Sequence, residues 1–330
     1  MIDMKLAKAK GFDFGSATKF FDAKEPHKGV TDALDPNTTV PAYMNMYANP
    51  RVIEVLTAKR NYRAIAPEVK NGDWTTAFTQ FRALEFTGET TPYQDYDANG
   101  QANVNTNFPT RKQYRFQTTL RVGDLEQDMN ADAKIDLFAE KQKSAALLLE
   151  IAFNKYAFYG VSGVGIYGLL NDPNLNADET PTTGVGGNTW ALKTADEIMA
   201  DFAKMFSKLY ERSNGWIDDS TATKLVIAPS CLAELNKVNT FGVSVKKMLA
   251  DTYPNMTIVS APEMATGNGN LAMILAEEIE GQPVVEFGYT EKYKAHRIIP
   301  ESSSMHQKIS AGTYGAIAYY PFAIVTMLGV

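Results

Sequence analysis

From Tyr114 to Val122 the chain alternates without a break: Tyr114, Phe116, Thr118, Leu120 and Val122 fall on one face, and Arg115, Gln117, Thr119 and Arg121 on the other. A period of two is the mark of a β-strand with one buried face. Upstream, Trp74, Thr76 and Phe78, then Leu84 and Phe86, spell an earlier strand with a break near Gln80. Residues 89–107 between them are rich in Thr, Asn, Asp and Gly and show no period. The pattern predicts a long hairpin over 74–122 with a loose, acidic tip. Arms of about 14 residues at ~3.3 Å each would reach ~45 Å. A two-stranded ribbon of that length has no core of its own and is marginal alone in water. It therefore needs a surface to lie on: its own body in a monomer, a neighbour in an assembly.

Residues 124–159 add a second constraint. Leu125, Met129, Ala133, Leu137, Ala145, Leu148, Ala152 and Tyr156 recur mostly every three or four residues, the spacing of a helix with one apolar side. Asp124 with Gln127 three residues on resembles a capping box, and Gly160 stands where a helix would close. One helix over this span would be ~54 Å long at ~1.5 Å per residue. Lys134 and Lys141 interrupt a heptad and Leu147, Leu148 and Leu149 broaden the stripe, so a spine packed along a sheet fits better than a coiled coil.

The remaining chain divides by its punctuation. Glycines and prolines recur through residues 1–45, which read as an arm that lies on something else, and Pro50 opens a short helix. A loop-rich linker follows residue 160. Thr194 and Glu197 form a second capping box, with Ile198, Phe202, Met205 and Leu209 on the buried face of its helix. Strands at 225–228, 257–259, 271–276 and 284–287 and a helix from Ser230 make an α/β block, and residues 289–330 read as β-rich.

Composition removes whole classes of function. One cysteine, Cys231, excludes an intrachain disulfide framework and multi-cysteine metal sites. His27, His296 and His306 are too few and too scattered for most histidine metal centres. No apolar run approaches the ~18 residues of a membrane span. A net charge of -6 argues against a broad nucleic-acid grip.

The motifs with chemical potential are weak. Gly163, Gly165 and Gly168 spell GxGxxG, but a long helix precedes them where a dinucleotide site needs a strand. Asp95, Asp97 and Asn99 open like a calcium loop, yet its twelfth position is Thr106 rather than a bidentate glutamate. Ser302 to His306 and the Glu277, Glu278 and Glu280 cluster read as polar turns, and Cys231 as a packed thiol. Arg111, Lys112, Arg115 and Arg121 make the second hairpin strand basic, which suits an acidic protein surface better than nucleic acid in the absence of interleaved aromatics. No constellation makes this chain an enzyme, and no cofactor or metal is expected.

The order of arm, long hairpin, long helix, glycine-rich exit, α/β block and final β segment resembles the major capsid proteins of tailed bacteriophages, which have the Hong Kong 97 capsid fold. Three segments carry the resemblance: residues 74–122, residues 124–159 with the exit Tyr167-Gly-Leu-Leu-Asn-Asp-Pro173, and Gly315-Ala-Ile-Ala-Tyr-Tyr-Pro-Phe-Ala-Ile with the closing Leu328-Gly-Val. It implies an α+β fold with an N-terminal arm (1–45), a peripheral domain (46–73 and 123–190, with the spine helix over 124–159), an extended loop (74–122), an axial α/β domain (191–282) and a closing β segment of the peripheral domain (283–330).

The resemblance further implies self-assembly through pentamers and hexamers into an icosahedral head enclosing double-stranded DNA, touched only weakly by an acidic wall. The protein would be assembled in the host bacterial cytoplasm and reside in the virion, with scaffold, portal and decoration proteins as partners and no membrane. Many relatives carry a long cleaved scaffolding segment; with Met1 just before the arm, a separate scaffold or none is expected. No spacing selects a lysine–asparagine pair, so no crosslink is expected. Two alternatives stand: an encapsulin-type nanocompartment, and a nucleotide-binding enzyme using Gly163 to Gly168. Expected inter-subunit contacts are Arg111, Lys112 and Arg115 on the loop and Glu89, Asp95 and Asp97 at its tip.

Overall fold

The long alternating segment is strand β6 of a sheet. In chain order, helix α1 (Tyr62–Ile65) and strand β1 (Glu68–Lys70) lead to four short strands, β2 (Phe78–Gln80), β3 (Ala83–Gly88), β4 (Ala102–Asn107) and β5 (Thr110–Lys112), and then to β6 (Tyr114–Gly123). The computed structural model describes residues 59–330 except 94, 96–99 and 133–135; the expected arm, nearly all of the short helix from Pro50, and Asp97 lie outside the described residues.

Helices α2 (Asp124–Asp132) and α3 (Leu137–Tyr159) follow, then α4 (Ala195–Ser213), β7 (Thr223–Ile227), α5 (Pro229–Glu234), α6 (Val245–Thr252), β8 (Met256–Ser260), β9 (Ala265–Thr266) and β10 (Gly269–Ala276). The chain ends with the small β11 (Glu278–Ile279) and β12 (Gln282–Pro283), the long β13 (Val285–Pro300) and β14 (Ser304–Ala318), and β15 (Ile324–Leu328).

Two sheets result. The first has the order β1-β13-β14-β6, with β1 parallel to β13 and the other pairings antiparallel. In β6 the even-numbered residues turn inward and Arg115, Gln117, Thr119 and Arg121 stay exposed, as the alternation requires. Its pairing corrects the sequence reading. All ten residues of β6 pair with β14, Tyr114 with Thr313 through Gly123 with Ser304, so β6 belongs to the body sheet and not to the hairpin. Alternation reports a buried face but carries no information about which strand lies alongside.

Helix α3 lies across this sheet. Phe153 meets Phe116 edge-on at 5.1 Å, and Tyr156 meets Phe116 and Tyr114 at 5.1 and 5.3 Å. The expected single helix over 124–159 is two helices. Asp136 opens a new N-terminus, its carboxylate accepting the Ala139 amide at 3.0 Å. Leu125 and Met129 fit the apolar spacing, yet they are 71 % and 65 % exposed and α2 has no buried residue. Helix α3 has 23 residues, ~34 Å at ~1.5 Å each.

The second sheet has the order β15-β10-β7-β8, with β9 on β10. Here the final strand departs from expectation: β15 pairs with β10, Leu271 with Leu328 through Leu275 with Ile324, so it closes the α/β sheet while β13 and β14 build the first one. Helix α4 packs on this sheet with Ile198, Phe202, Met205 and Leu209 fully buried, and its Thr194–Glu197 capping box is formed in both directions. A charged staple ties the linker to α4. Lys193 Nζ donates to Asp201 Oδ2 at 2.5 Å with both side chains fully buried, and Asp201 also accepts from Thr182 and from Trp190 Nε1.

Ala58–Val330 form one compact unit, and one cluster of buried apolar side chains runs through both sheets. Where α3 ends, three backbones meet without side chains between them. Gly160, at φ 60, closes the helix; a Cβ on Gly168 would sit 2.4 Å from the Phe158 carbonyl, and one on Gly315, at φ 75, would sit 2.4 Å from the Tyr167 oxygen. Only glycine fits such positions.

Candidate functional site

The feature that the body sheets leave unpartnered is the hairpin of β2 to β5. Strands β2 and β5 form its root, Phe78 opposite Lys112, and β3 and β4 its shaft, Leu84 opposite Thr106 and Phe86 opposite Val104. Directly opposed residues of an antiparallel pair share a face. One face of the shaft is therefore apolar, with Leu84, Phe86 and Val104; the other is polar, where Asn105 Nδ2 donates to Glu85 Oε2 at 3.2 Å. The apolar face is bare: Phe86 is 80 % exposed and Leu84 and Val104 nearly half. Phe78, Tyr93 and Phe108 are exposed as well. Residues 83–107 carry Glu85, Glu89, Asp95 and Asp97 and no lysine or arginine.

The basic residues expected at a neighbour's surface divide. Arg111 turns inward at the root: its Nη2 lies 3.0 Å from Asp172 Oδ2, its guanidinium covers the Tyr167 ring at 5.0 Å, and the Asp172 side chain is only 3 % exposed. Arg115 donates to the carbonyls of Trp74 and Thr76, both at 3.0 Å, and lies over the Trp74 ring. Both arginines are engaged within the chain at the base of the hairpin, Arg111 by a carboxylate and Arg115 by neutral carbonyls with its side chain still exposed. Lys112, Glu89 and Asp95 are exposed. The pairing of Asp172 with Arg111 escaped the sequence, which shows Asp172 only as part of the Asn-Asp-Pro turn in the exit from α3.

The glycine-rich exit lacks the strand–turn–helix geometry of a dinucleotide site. Val161 and Ile166 form an antiparallel bridge around a tight turn with Gly163 and Gly165 at φ 79 and 74, and no helix follows. Gly168 is spent on the backbone crossing. A dinucleotide-binding turn sets its pyrophosphate against the amides of a helix N-terminus. Other candidates resolve likewise. Ser304 Oγ donates to Glu301 Oε2 at 2.9 Å while His306 Nδ1 lies 3.0 Å from Glu301 Oε1, so the carboxylate separates the serine from the imidazole. Glu277 lies 3.7 Å from Lys224, and Glu280 occupies a left-handed turn position between β11 and β12. Burial pushes the Cys231 thiol up, opposing reactivity. Among the described residues no group of three or more His, Cys, Asp or Glu is placed to hold a metal ion, and no helix is long and apolar enough to cross a membrane.

Ion pairs tie the base of α3 to the sheet. Glu68 accepts from Tyr62, Arg63 and Lys292, and Arg63 also reaches Glu150 at 2.7 Å. Burial alone would raise the Glu68 carboxyl, but the hydrogen bonds from Lys292, Tyr62 and Arg63 outweigh it and hold it below its ordinary range.

The family model described as Pa193 gp26 major capsid protein matches residues 31–329. No curated protein sequence matches. Among solved structures, the chain is similar to the capsid of Myoviridae phage XM1, with a TM-score of 0.73 at 12 % identity over 88 % of this chain and 99 % of that one. It is also similar to the capsid of a native GTA particle, TM-score 0.62 at 10 % identity over 92 % and 100 %, and to the capsid of cyanophage P-SCSP1u, 0.54 at 11 % over 93 % and 99 %. At these identities the structural likeness establishes the fold alone.

Proposed function

Because the chain belongs to the Pa193 gp26 major capsid protein family, we propose that its projecting hairpin is the arm by which one copy covers the next in a phage head. The protein is a shell-forming major capsid protein of a tailed phage with the Hong Kong 97 capsid fold. The role of the hairpin rests on one observation: an apolar stripe of Leu84, Phe86 and Val104 on a two-stranded shaft that has no core of its own. Left bare, such a stripe is an aggregation hazard; covered by an identical copy, it becomes an interface repeated around every ring of subunits.

In this reading the copies close as pentamers and hexamers into an icosahedral head around double-stranded DNA, and Lys112, Glu89 and Asp95 lie at the subunit boundary. The net charge of -6 suits a wall that touches packaged DNA weakly, since few phosphates are neutralised by it. Scaffold, portal and decoration proteins would join during assembly in the host cytoplasm. Its role is structural rather than catalytic.

Negative-stain microscopy beside sedimentation of the purified protein tests the proposal. Closed shells, capsomer rings or tubes are expected, and particles from infected cells should absorb strongly at 260 nm. Particles filled with a protein cargo instead of DNA would point to a nanocompartment, and a strict monomer at high concentration would refute the hairpin's role.

A further inference from the structure

We propose that Arg111 and Asp172 form a fixed joint that sets the angle at which the hairpin leaves the body, and so decides which shell the copies can close. The inference rests on the reading of the hairpin as the covering arm. The root strands β2 and β5 are three residues each, too short to fix a direction by themselves. Arg115 holds the Trp74 and Thr76 carbonyls upstream of β2, and two further side-chain contacts tie the root and its flanks to the helix exit and the end of β14: the Arg111 guanidinium on Asp172 and Tyr167, and Phe81 edge-on to Tyr319 at 5.9 Å.

The platform under Arg111 is rigid. Leu169 and Leu170 amides donate to the Ala157 and Phe158 carbonyls at 2.8 and 2.9 Å, and the Ala316 amide donates to Tyr167 at 3.0 Å. Asn171 is fixed at both ends, accepting from the Gly168 amide and donating to the Tyr159 carbonyl. Asp172 divides its oxygens: Oδ1 accepts the Asn174 amide at 3.0 Å and shapes the turn, leaving Oδ2 for Arg111. A planar guanidinium on a buried carboxylate is directional as a lysine would not be.

The geometry makes small errors costly. The eleven residues from Phe78 to Gly88 span ~36 Å at ~3.3 Å each, so a tilt of about 10° at the root displaces the end of the shaft by about 6 Å. That exceeds the ~4.5 Å within which apolar side chains touch. Asp172 and Arg111 are therefore positioning residues: they place the stripe that meets the neighbour.

The test uses the full chain. Asp172→Asn keeps the acceptor for Asn174 and removes the charge that holds Arg111; Arg111→Gln removes the other partner at the surface end. Each is expected to cut the yield of closed shells at least tenfold in favour of tubes, open sheets or wrong diameters, with the double variant no worse than either single one. Arg111→Lys should recover yield but not a uniform diameter. In unassembled subunits, amide exchange at 78–80 and 110–112 should quicken at least tenfold while α3 and β10 are unchanged.

Shells of parental yield and diameter from Asp172→Asn, or effects of the two substitutions that simply add, would overturn the joint. So would unchanged exchange at the root. If Asp172→Asn fails to fold, Arg111→Gln gives the decision. If the unaltered protein makes no particles, the covering-arm reading fails, and the exchange measurement alone judges the joint.

Discussion

Phe86→Ala separates assembly from folding most cleanly. In the isolated chain Phe86 is 80 % exposed, so its own fold gains almost nothing from the ring. Fully burying a large apolar side chain contributes about 1.5–3 kcal/mol, so covering the exposed four-fifths of Phe86 by a neighbour contributes about 1.2–2.4 kcal/mol per contact. At about 1.4 kcal/mol per factor of ten, removing it should raise the protein concentration at which particles first appear by roughly seven- to fiftyfold. Light scattering against concentration reads that threshold. Thermal unfolding of the unassembled subunit should move by no more than about 0.5 kcal/mol, the usual range for a surface change. An unchanged threshold, or a subunit destabilised as much as its assembly, would show that Phe86 packs within the chain and that the stripe is not an interface.

Three further outcomes follow from particular contacts. Gly168→Ala should yield no soluble folded protein, because its Cβ would press on the Phe158 carbonyl, whereas Gly165→Ala, at φ 74 with open space around it, should cost about 1–2 kcal/mol in denaturant unfolding; a nucleotide-binding loop would be sensitive at both. Lys193→Met leaves Asp201 charged and buried without its partner and should lower unfolding stability by about 3–5 kcal/mol in urea. Because the Glu68 carboxyl is held below its ordinary 4.5, its contribution is complete above that pH and is lost as pH falls through the depressed value; a midpoint of thermal unfolding that drops in acid less steeply in Glu68→Gln than in the parent is the expected result.

How much of this was legible beforehand depended on range. Helix caps, a glycine stop and a buried face are written within a few residues, so Thr194 with Glu197, Gly160, and Ile198 through Leu209 all read correctly from spacing. Pairing is written nowhere locally. Strand β6 finds β14 across almost two hundred residues, and β15 pairs with β10 rather than extending the sheet of its immediate predecessor β14. The new helix start at Asp136 was hidden because Leu125 and Met129 continue an apolar rhythm that nothing among the described residues buries. The hairpin was legible as a ribbon lacking a core, but the use of Arg111 was not. A basic residue on an exposed strand looks alike whether it serves a neighbour or its own chain, and the buried partner, Asp172, lies sixty-one positions away.

The crossing of Gly160, Gly168 and Gly315 also bears on how force travels. A pull on the hairpin passes through Arg111 to the turn at Tyr167 and Asp172, and from there into α3 and β14 mainly by amide-to-carbonyl contacts. Side chains yield under load by hopping between rotamers; a junction made of main chain has no such slack. A stress applied at the arm is thus delivered to the helix and the central sheet together, and the subunit should answer strain as a stiff plate rather than a hinged one.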